Sequence, residues 1–156
     1  MDYALSGDVL VRHFTPSDLS QIVELESASF TTDAFSEALF LSYYQECPDL
    51  FFVAENTGII VGYMLTVFTS SINALIVSIA VHPLYRRKGV GRTLANFTLN
   101  QLKASGKKIA ELNVRTTNME SRNFWESLGF TLVTIIPDFY GEGEKALHMV
   151  KLLEGD

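Results

Sequence analysis

Positions 86 to 92 carry Arg86, Arg87, Lys88, Gly89, Val90, Gly91 and Arg92. Four cationic side chains and two glycines in so short a stretch are suited to holding an anion. The glycines remove Cβ atoms that would keep a charged group away from backbone N–H donors. The apolar run ALIVSIAV (74–81) ends just upstream, and a helical pattern begins at Val90. The first N–H groups of a helix lack internal acceptors, and the helix dipole adds roughly half an elementary positive charge there. A diphosphate fits such a strand-to-helix junction. Taken singly, the basic residues read as a solvated turn and the glycines as turn geometry. Their coincidence at the junction favours the anion site. The loop is neither G-x-x-x-x-G-K-[ST] nor G-x-G-x-x-G. It reads R-x-x-G-x-G, from Arg86 to Gly91.

The rest of the chain is not basic. Its 156 residues have a net charge of −6, and four of its twelve Lys/Arg lie in this loop. That balance argues against a broad nucleic-acid surface or an anionic membrane face, and no nucleic-acid or membrane partner is expected. The single cysteine, Cys47, rules out an internal disulfide and a multi-thiolate metal site, and it reads as a small half-buried residue. His13, His82 and His148 share no metal-ligand spacing, so no metal is expected; His13 and His148 fall in strands, and His82 reads as solvent-facing. Lys107 and Lys108 read as a solvated turn. The opening MDYALSGD has no basic or apolar leader pattern, and no apolar run reaches the roughly 18 residues of a membrane span, so a cytoplasmic protein is expected.

The elements that must position the loop follow from periodicity. Strands are expected at 8–14, 50–55, 59–68, 74–81, 109–114, 130–136 and 145–152. Helices are expected from Thr15 to Phe30, over 35–46, over 90–104 and over 118–128. Thr15, Pro16 and Asp18 have the spacing of a helix start, and the Asn56-Thr57-Gly58 stretch reads as a hairpin. Strand 74–81, helix 90–104 and strand 109–114 form a βαβ unit, whose strands are parallel. The expected fold is a single α/β domain over 1–156, a mixed sheet with a parallel centre and helices on both faces.

The segment SIAVHPLYRRKGVG resembles the acyl-CoA diphosphate loop of the GNAT acyltransferase superfamily. ELNVRTTNMESRNFWESLGF (111–130) resembles that family's second CoA segment. DFYGEGEKALHM (138–149) and SASFTTDAFS (27–36) resemble the closing hairpin and substrate loop of its RimI-like and NatA-type branch, which acetylates protein N-termini. The resemblance covers nearly the whole chain, in family order. It implies acetyl-CoA as cosubstrate, with no metal. It implies that main-chain groups of Ile79, Ala80 and Val81 pair with the pantetheine arm. Arg86 and the N–H groups of Arg87, Lys88, Gly89, Val90, Gly91 and Arg92 would hold the diphosphate. Asn118 would bond the pantetheine, with Trp125 also at the cofactor. Phe30, Asp33, Tyr140 and Glu142 would face the amino end of a protein or peptide substrate, and an auxiliary subunit or a homodimer would be the protein partner. Strands 74–81 and 109–114 would have to splay to admit the acyl arm. Plainer roles stay open beside these: an N-cap for Asn118, core for Phe30 and Phe35, an exposed hairpin position for Tyr140.

Three positions depart from the family pattern. Asn113 stands where a carboxylate or histidine is usual, Leu75 where a histidine can stand, and Trp125 where a tyrosine protonates the leaving thiolate. Asparagine takes no proton at neutral pH. A protein α-amine, with a pKa of about 7.7–8.0, is roughly one-tenth neutral at pH 7, whereas a lysine at about 10.4 is neutral about once in 2,500. Weak proton chemistry therefore favours the α-amine. The expected assignment gives proton handling to Tyr140 with ordered water, and water orientation to Asn113. Glu142 and Glu144 would attract a cationic amino terminus. The alternatives are acetylation of a small amine or a lysine, and a non-catalytic acyl-CoA-binding module.

Overall fold

The computed structural model describes residues 4–6, 9–29 and 34–153. They form a mixed α/β fold with four α-helices and eight strands. The chain divides into two compact units, Met1–Val67 with Ser78–Gln101 and Phe68–Val77 with Leu102–Asp156.

In the first unit, β1 (Ala4–Ser6), β2 (Val9–His13), β3 (Phe51–Asn56) and β4 (Ile59–Phe68) pair antiparallel in that order. The short β1 has no sequence forecast. Thr57 and Gly58, with φ of 47° and 87°, close the β3–β4 hairpin as a two-residue turn whose twist suits the strands. The capping signal holds, but its first turn, Pro16–Asp18, is a tight 3-10 turn that leads into α1 (Leu19–Ser29). Asp18 accepts from the Thr15 N–H at 2.9 Å and is clamped by Arg12 Nη1 and Nη2 at 2.8 and 2.9 Å. Ser36 caps α2 (Glu37–Glu46), accepting from the Leu39 N–H. Phe14 stacks on Phe51 at 4.1 Å, and Phe40 meets Tyr63 edge-on at 5.4 Å. Cys47 is buried rather than half-buried.

β5 (Asn73–Val81) and α3 (Val90–Ala104) contribute residues to both units. The expected stripe of α3 is buried: Val90, Leu94 and Phe97, with Ala95, Leu99 and Leu102. Gly106 at φ +82° ends it, and the Lys107 N–H donates back to Leu102 O at 3.0 Å. Gly62 is set by packing: a Cβ there would lie 3.1 Å from both Ala80 O and Leu94 Cδ1.

In the second unit the strand order is β5, β6 (Ile109–Arg115), β8 (Glu144–Leu152), β7 (Thr131–Gly141). β5 and β6 are parallel, as expected, and their register runs from Asn73↔Ile109 to Leu75↔Glu111. Among the described residues of this unit that pairing stops there, while β6 stays paired with β8 to Arg115↔Ala146. α4 (Met119–Ser127) is capped by Asn118, whose side chain accepts from the Ser121 N–H at 3.0 Å. Two further expectations are corrected. The stretch 137–141, expected as loop, belongs to β7: a register shift between Ile136 and Gly141 accommodates Pro137, which an edge strand tolerates. Lys107 is not solvated: its Nζ donates to Ser70 O and Ser71 O at 2.9 and 3.0 Å and lies 4.0 Å from the Phe68 ring centre, so carbonyls and an aromatic face replace water.

Candidate functional site

The basic loop lies in the first unit. After Val81 the chain makes a 3-10 turn, Pro83–Tyr85. His82, expected to face solvent, is half-buried and caps this turn, its Nδ1 accepting from the Leu84 N–H at 3.1 Å. Arg87 and Gly89 both have positive φ, 63° and 83°. A Cβ on Gly89 would meet nothing within 4 Å, so the backbone conformation, not crowding, calls for glycine there. Gly89 O then accepts from the Thr93 N–H at 2.9 Å and Thr93 Oγ1 at 2.8 Å, which starts α3. Val90 is buried and anchors the helix start, and Gly91 lies in its first turn. Arg86, Arg87, Lys88 and Arg92 are exposed around it. Solvent-exposed cations surrounding the start of a 15-residue helix, with a bare glycine between them, fit a diphosphate.

Ile79, Ala80 and Val81 form the end of β5 that leads into this loop. Ala80 is buried, and the Val81 carbonyl accepts from Arg86 Nε at 3.0 Å, which ties the arginine to the strand. One strand turn earlier lies a network that the sequence reading did not single out. Tyr63 Oη lies 2.7 Å from Ser78 Oγ and donates to Glu26 Oε1, while Glu26 Oε2 accepts from the Phe35 N–H at 2.9 Å. Burial, followed by the Glu26 charge, holds the Tyr63 phenol well above its usual pKa. Burial also raises the Glu26 carboxyl, against the lowering effect of its two donors. Phe30 and Asp33, expected at the substrate, lie outside the described residues.

The second unit holds the remaining candidates. Asn113 is half-buried on β6, directly opposite His148 on β8. His148 Nδ1 lies 2.8 Å from Asn113 Oδ1, and its Nε2 lies 3.1 Å from Glu111 Oε1. Asn73 Nδ2 donates to Glu111 Oε2 at 2.9 Å. The chain Asn73–Glu111–His148–Asn113 thus lies along one face of β5, β6 and β8. Reading along the sequence separates Asn113 and His148 by 35 positions, and only the strand register brings them together. The alternation Glu111, Leu112, Asn113, Val114 was a usable signal, since a strand with that period places Glu111 and Asn113 on one face.

Trp125 is 3% exposed, with Phe130 edge-on at 5.3 Å. Asn118 spends its side-chain oxygen on the α4 cap. Tyr140 is half-buried on β7, with the Arg115 guanidinium 4.2 Å from its ring centre, and Arg115 pairs with Glu144 at 2.7 Å. Glu142 is exposed in the turn between β7 and β8. No cluster of three or more metal-ligating side chains occurs among the described residues, and no described helix is long and apolar enough to cross a membrane.

The chain is similar to known proteins along most of its length. Residues 19–130 match the profile described as Acetyltransferase (GNAT) family. An uncharacterized N-acetyltransferase of Methanocaldococcus jannaschii is 31% identical over 92% of this chain and 91% of its own length. An N-alpha-acetyltransferase of Sulfurisphaera tokodaii is 28% identical over 89% of this chain and 90% of its own. The crystal structure of Ard1 from Thermoplasma volcanium superposes with a TM-score of 0.90 at 27% identity, covering 95% of this chain and 99% of that one. The chain therefore belongs to the GNAT acetyltransferase family.

Proposed function

We propose that this protein transfers the acetyl group of acetyl-CoA to the N-terminal α-amine of a protein or peptide, with residues 1–156 acting as one catalytic domain. The observation that carries the reading is the loop Arg86–Arg92, where a positive-φ glycine among exposed cations opens a long helix. The likeness to an N-alpha-acetyltransferase supports the choice of amine.

Arg86 and the N–H groups of Arg87 to Arg92 hold the diphosphate in this reading. Main-chain groups of Ile79, Ala80 and Val81 align the pantetheine in this reading, and Asn118 and Trp125 are assigned to the same cofactor. When bound, acetyl-CoA supplies a thioester carbonyl open to attack. Phe30, Asp33, Tyr140 and Glu142 receive the amino end of the substrate, and the Glu142 carboxylate favours a cationic terminus. Asn113 orients the attacking amine, or a water beside it, through its carboxamide. Tyr140 Oη handles the proton that the leaving sulfur requires. No strong base is needed, because roughly one-tenth of an α-amine is already neutral at pH 7, against about one lysine in 2,500.

The test is CoA release with two peptides, one with a free N-terminus and no lysine, the other Nα-blocked with an internal lysine. The free N-terminus is expected to react faster by about a hundredfold or more, in line with the ratio of neutral amines. Equal rates on the two peptides would overturn the assignment.

A further inference from the structure

The geometry points to His148 as a positioning residue that sets which end of the Asn113 carboxamide faces the reacting amine, with Glu111 fixing the imidazole. This inference rests on the proposed role of Asn113.

An ionised carboxylate only accepts hydrogen bonds. Glu111 Oε1, 3.1 Å from His148 Nε2, therefore requires a hydrogen on Nε2. Its other oxygen is engaged by Asn73 Nδ2 at 2.9 Å, so the carboxylate is held at both ends. That leaves Nδ1, 2.8 Å from the Asn113 carboxamide, as the nitrogen that changes state. In the protonated ring, Nδ1–H donates to Asn113 Oδ1, which leaves the Asn113 NH₂ as the outward-facing group. In the neutral ring, Nδ1 is a lone pair and must accept. The carboxamide then turns by half a rotation, gives an N–H to Nδ1, and presents Oδ1 outward. A neutral α-amine must donate an N–H to be oriented for attack, and an outward Oδ1 accepts it. An outward NH₂ cannot, and it would instead compete for the amine's lone pair. Loss of one proton from His148 thus converts Asn113 from a donor to an acceptor without asking asparagine itself to ionise.

Among the described residues on the neighbouring strands, few other charges bear on this switch. On β6 the described charged neighbours are Glu111 itself and Arg115, and Arg115 is ion-paired with Glu144. β5 contributes the uncharged Asn73, and β7 places the uncharged Thr134 opposite His148. The sequence hides the arrangement, because the asparagine occupies the family's usual base position while the histidine lies on a different strand.

Two measurements test the proposal. The first needs no activity: long-range ¹H–¹⁵N correlation spectra of the imidazole. The neutral His148 ring is expected to carry its hydrogen on Nε2, and Glu111→Gln is expected to weaken that preference. A neutral ring with its hydrogen on Nδ1 would overturn the proposal. The second is kcat/KM for a free-N-terminus peptide measured across about pH 5 to 9. Beyond the ionisation of the peptide amine, wild type is expected to show a second, with activity rising as His148 loses its proton. His148→Gln is expected to lack it and to lose about tenfold in kcat at pH 7, since misorientation alone carries such costs. Asn113→Asp, an acceptor in either rotation, is expected to lack it as well. If His148→Gln keeps the second ionisation, His148 does not set the carboxamide. Asn113→Ala separates the two claims. If it impairs turnover while His148→Gln does not, the role of Asn113 stands and that of His148 falls. If it leaves turnover at the wild-type level, the reading of Asn113 itself falls.

Discussion

Asp18 shows at the scale of one residue how a short sequence signal is reinforced by contacts that the signal does not contain. Thr15 and Asp18 announced a helix start, but Arg12 supplies two of the hydrogen bonds that hold the carboxylate. Burial alone would raise this carboxyl; the Arg12 guanidinium and the Thr15 N–H outweigh it and leave the pKa below its ordinary value. A depressed carboxylate adds stability that is complete above the unfolded value, about 4, and is lost as pH falls through the lower folded value. Asp18→Asn should therefore lower unfolding stability at pH 7 by about 1–3 kcal/mol. The gap to wild type should shrink below about pH 4, followed by urea midpoints at several pH values. A gap independent of pH would mean that packing, not charge, is what Asp18 contributes. Glu26 runs the other way. Its raised pKa makes the folded state hold a proton longer, so its contribution weakens as pH rises through that raised value. The long-range partners were not legible from the sequence, because Arg12 meets Glu55 and Glu26 meets Tyr63 across strands and helices 43 and 37 positions apart.

At the scale of elements, the sequence was readable where one periodicity ran uninterrupted between clear stops. Helix 90–104 has a wide apolar stripe with a glycine beyond each end, and its observed bounds are the expected ones. β4 and its glycine turn were equally plain. β7 was not, because Pro137, Asp138 and two later glycines carry turn chemistry, while the irregular pairing after Ile136 carries the strand through them. The candidate site divides along the same line. Its loop is local and was legible, whereas the Glu111–His148–Asn113 contacts depend on register. The loop's function can be separated from its geometry with a matched control. Gly58 and Gly89 have nearly the same φ, 87° and 83°, and a Cβ on either meets nothing within 4 Å. Valine at either place imposes comparable backbone strain. Only Gly89 opens a helix among cations. Gly89→Val should raise the Kd for coenzyme A by about tenfold or more, and Gly58→Val should leave it near wild type; calorimetric titration of both reads the difference. Equal affinities for the two variants would deny the loop its assigned ligand.

At the scale of the whole molecule, the two compact units are not two segments of chain. Each is built from two separate stretches, and β5 and α3 give residues to both. Neither core can form without a strand and a helix whose remaining residues belong to the other. Melting one unit would leave part of β5 without its ladder partners, and unpaired backbone groups are costly to leave without partners. A single unfolding transition follows, as is usual near this chain length. Trp125, the only tryptophan, is buried in the second unit, so its fluorescence follows that unit, while far-UV circular dichroism follows helices and strands of both. The two probes should give coincident urea curves. Coenzyme A at about a hundred times its Kd should then shift both by about 2.7 kcal/mol, if it binds only the folded state. The coincidence of the two curves is the sharper half of this prediction, because the loop Arg86–Arg92 belongs to the first unit while Asn118 and Trp125, also assigned to the cofactor, belong to the second, so a ligand shift of the tryptophan's transition does not by itself report coupling. Separate midpoints, or a ligand shift confined to the dichroism, would make them independent folding units joined by shared elements.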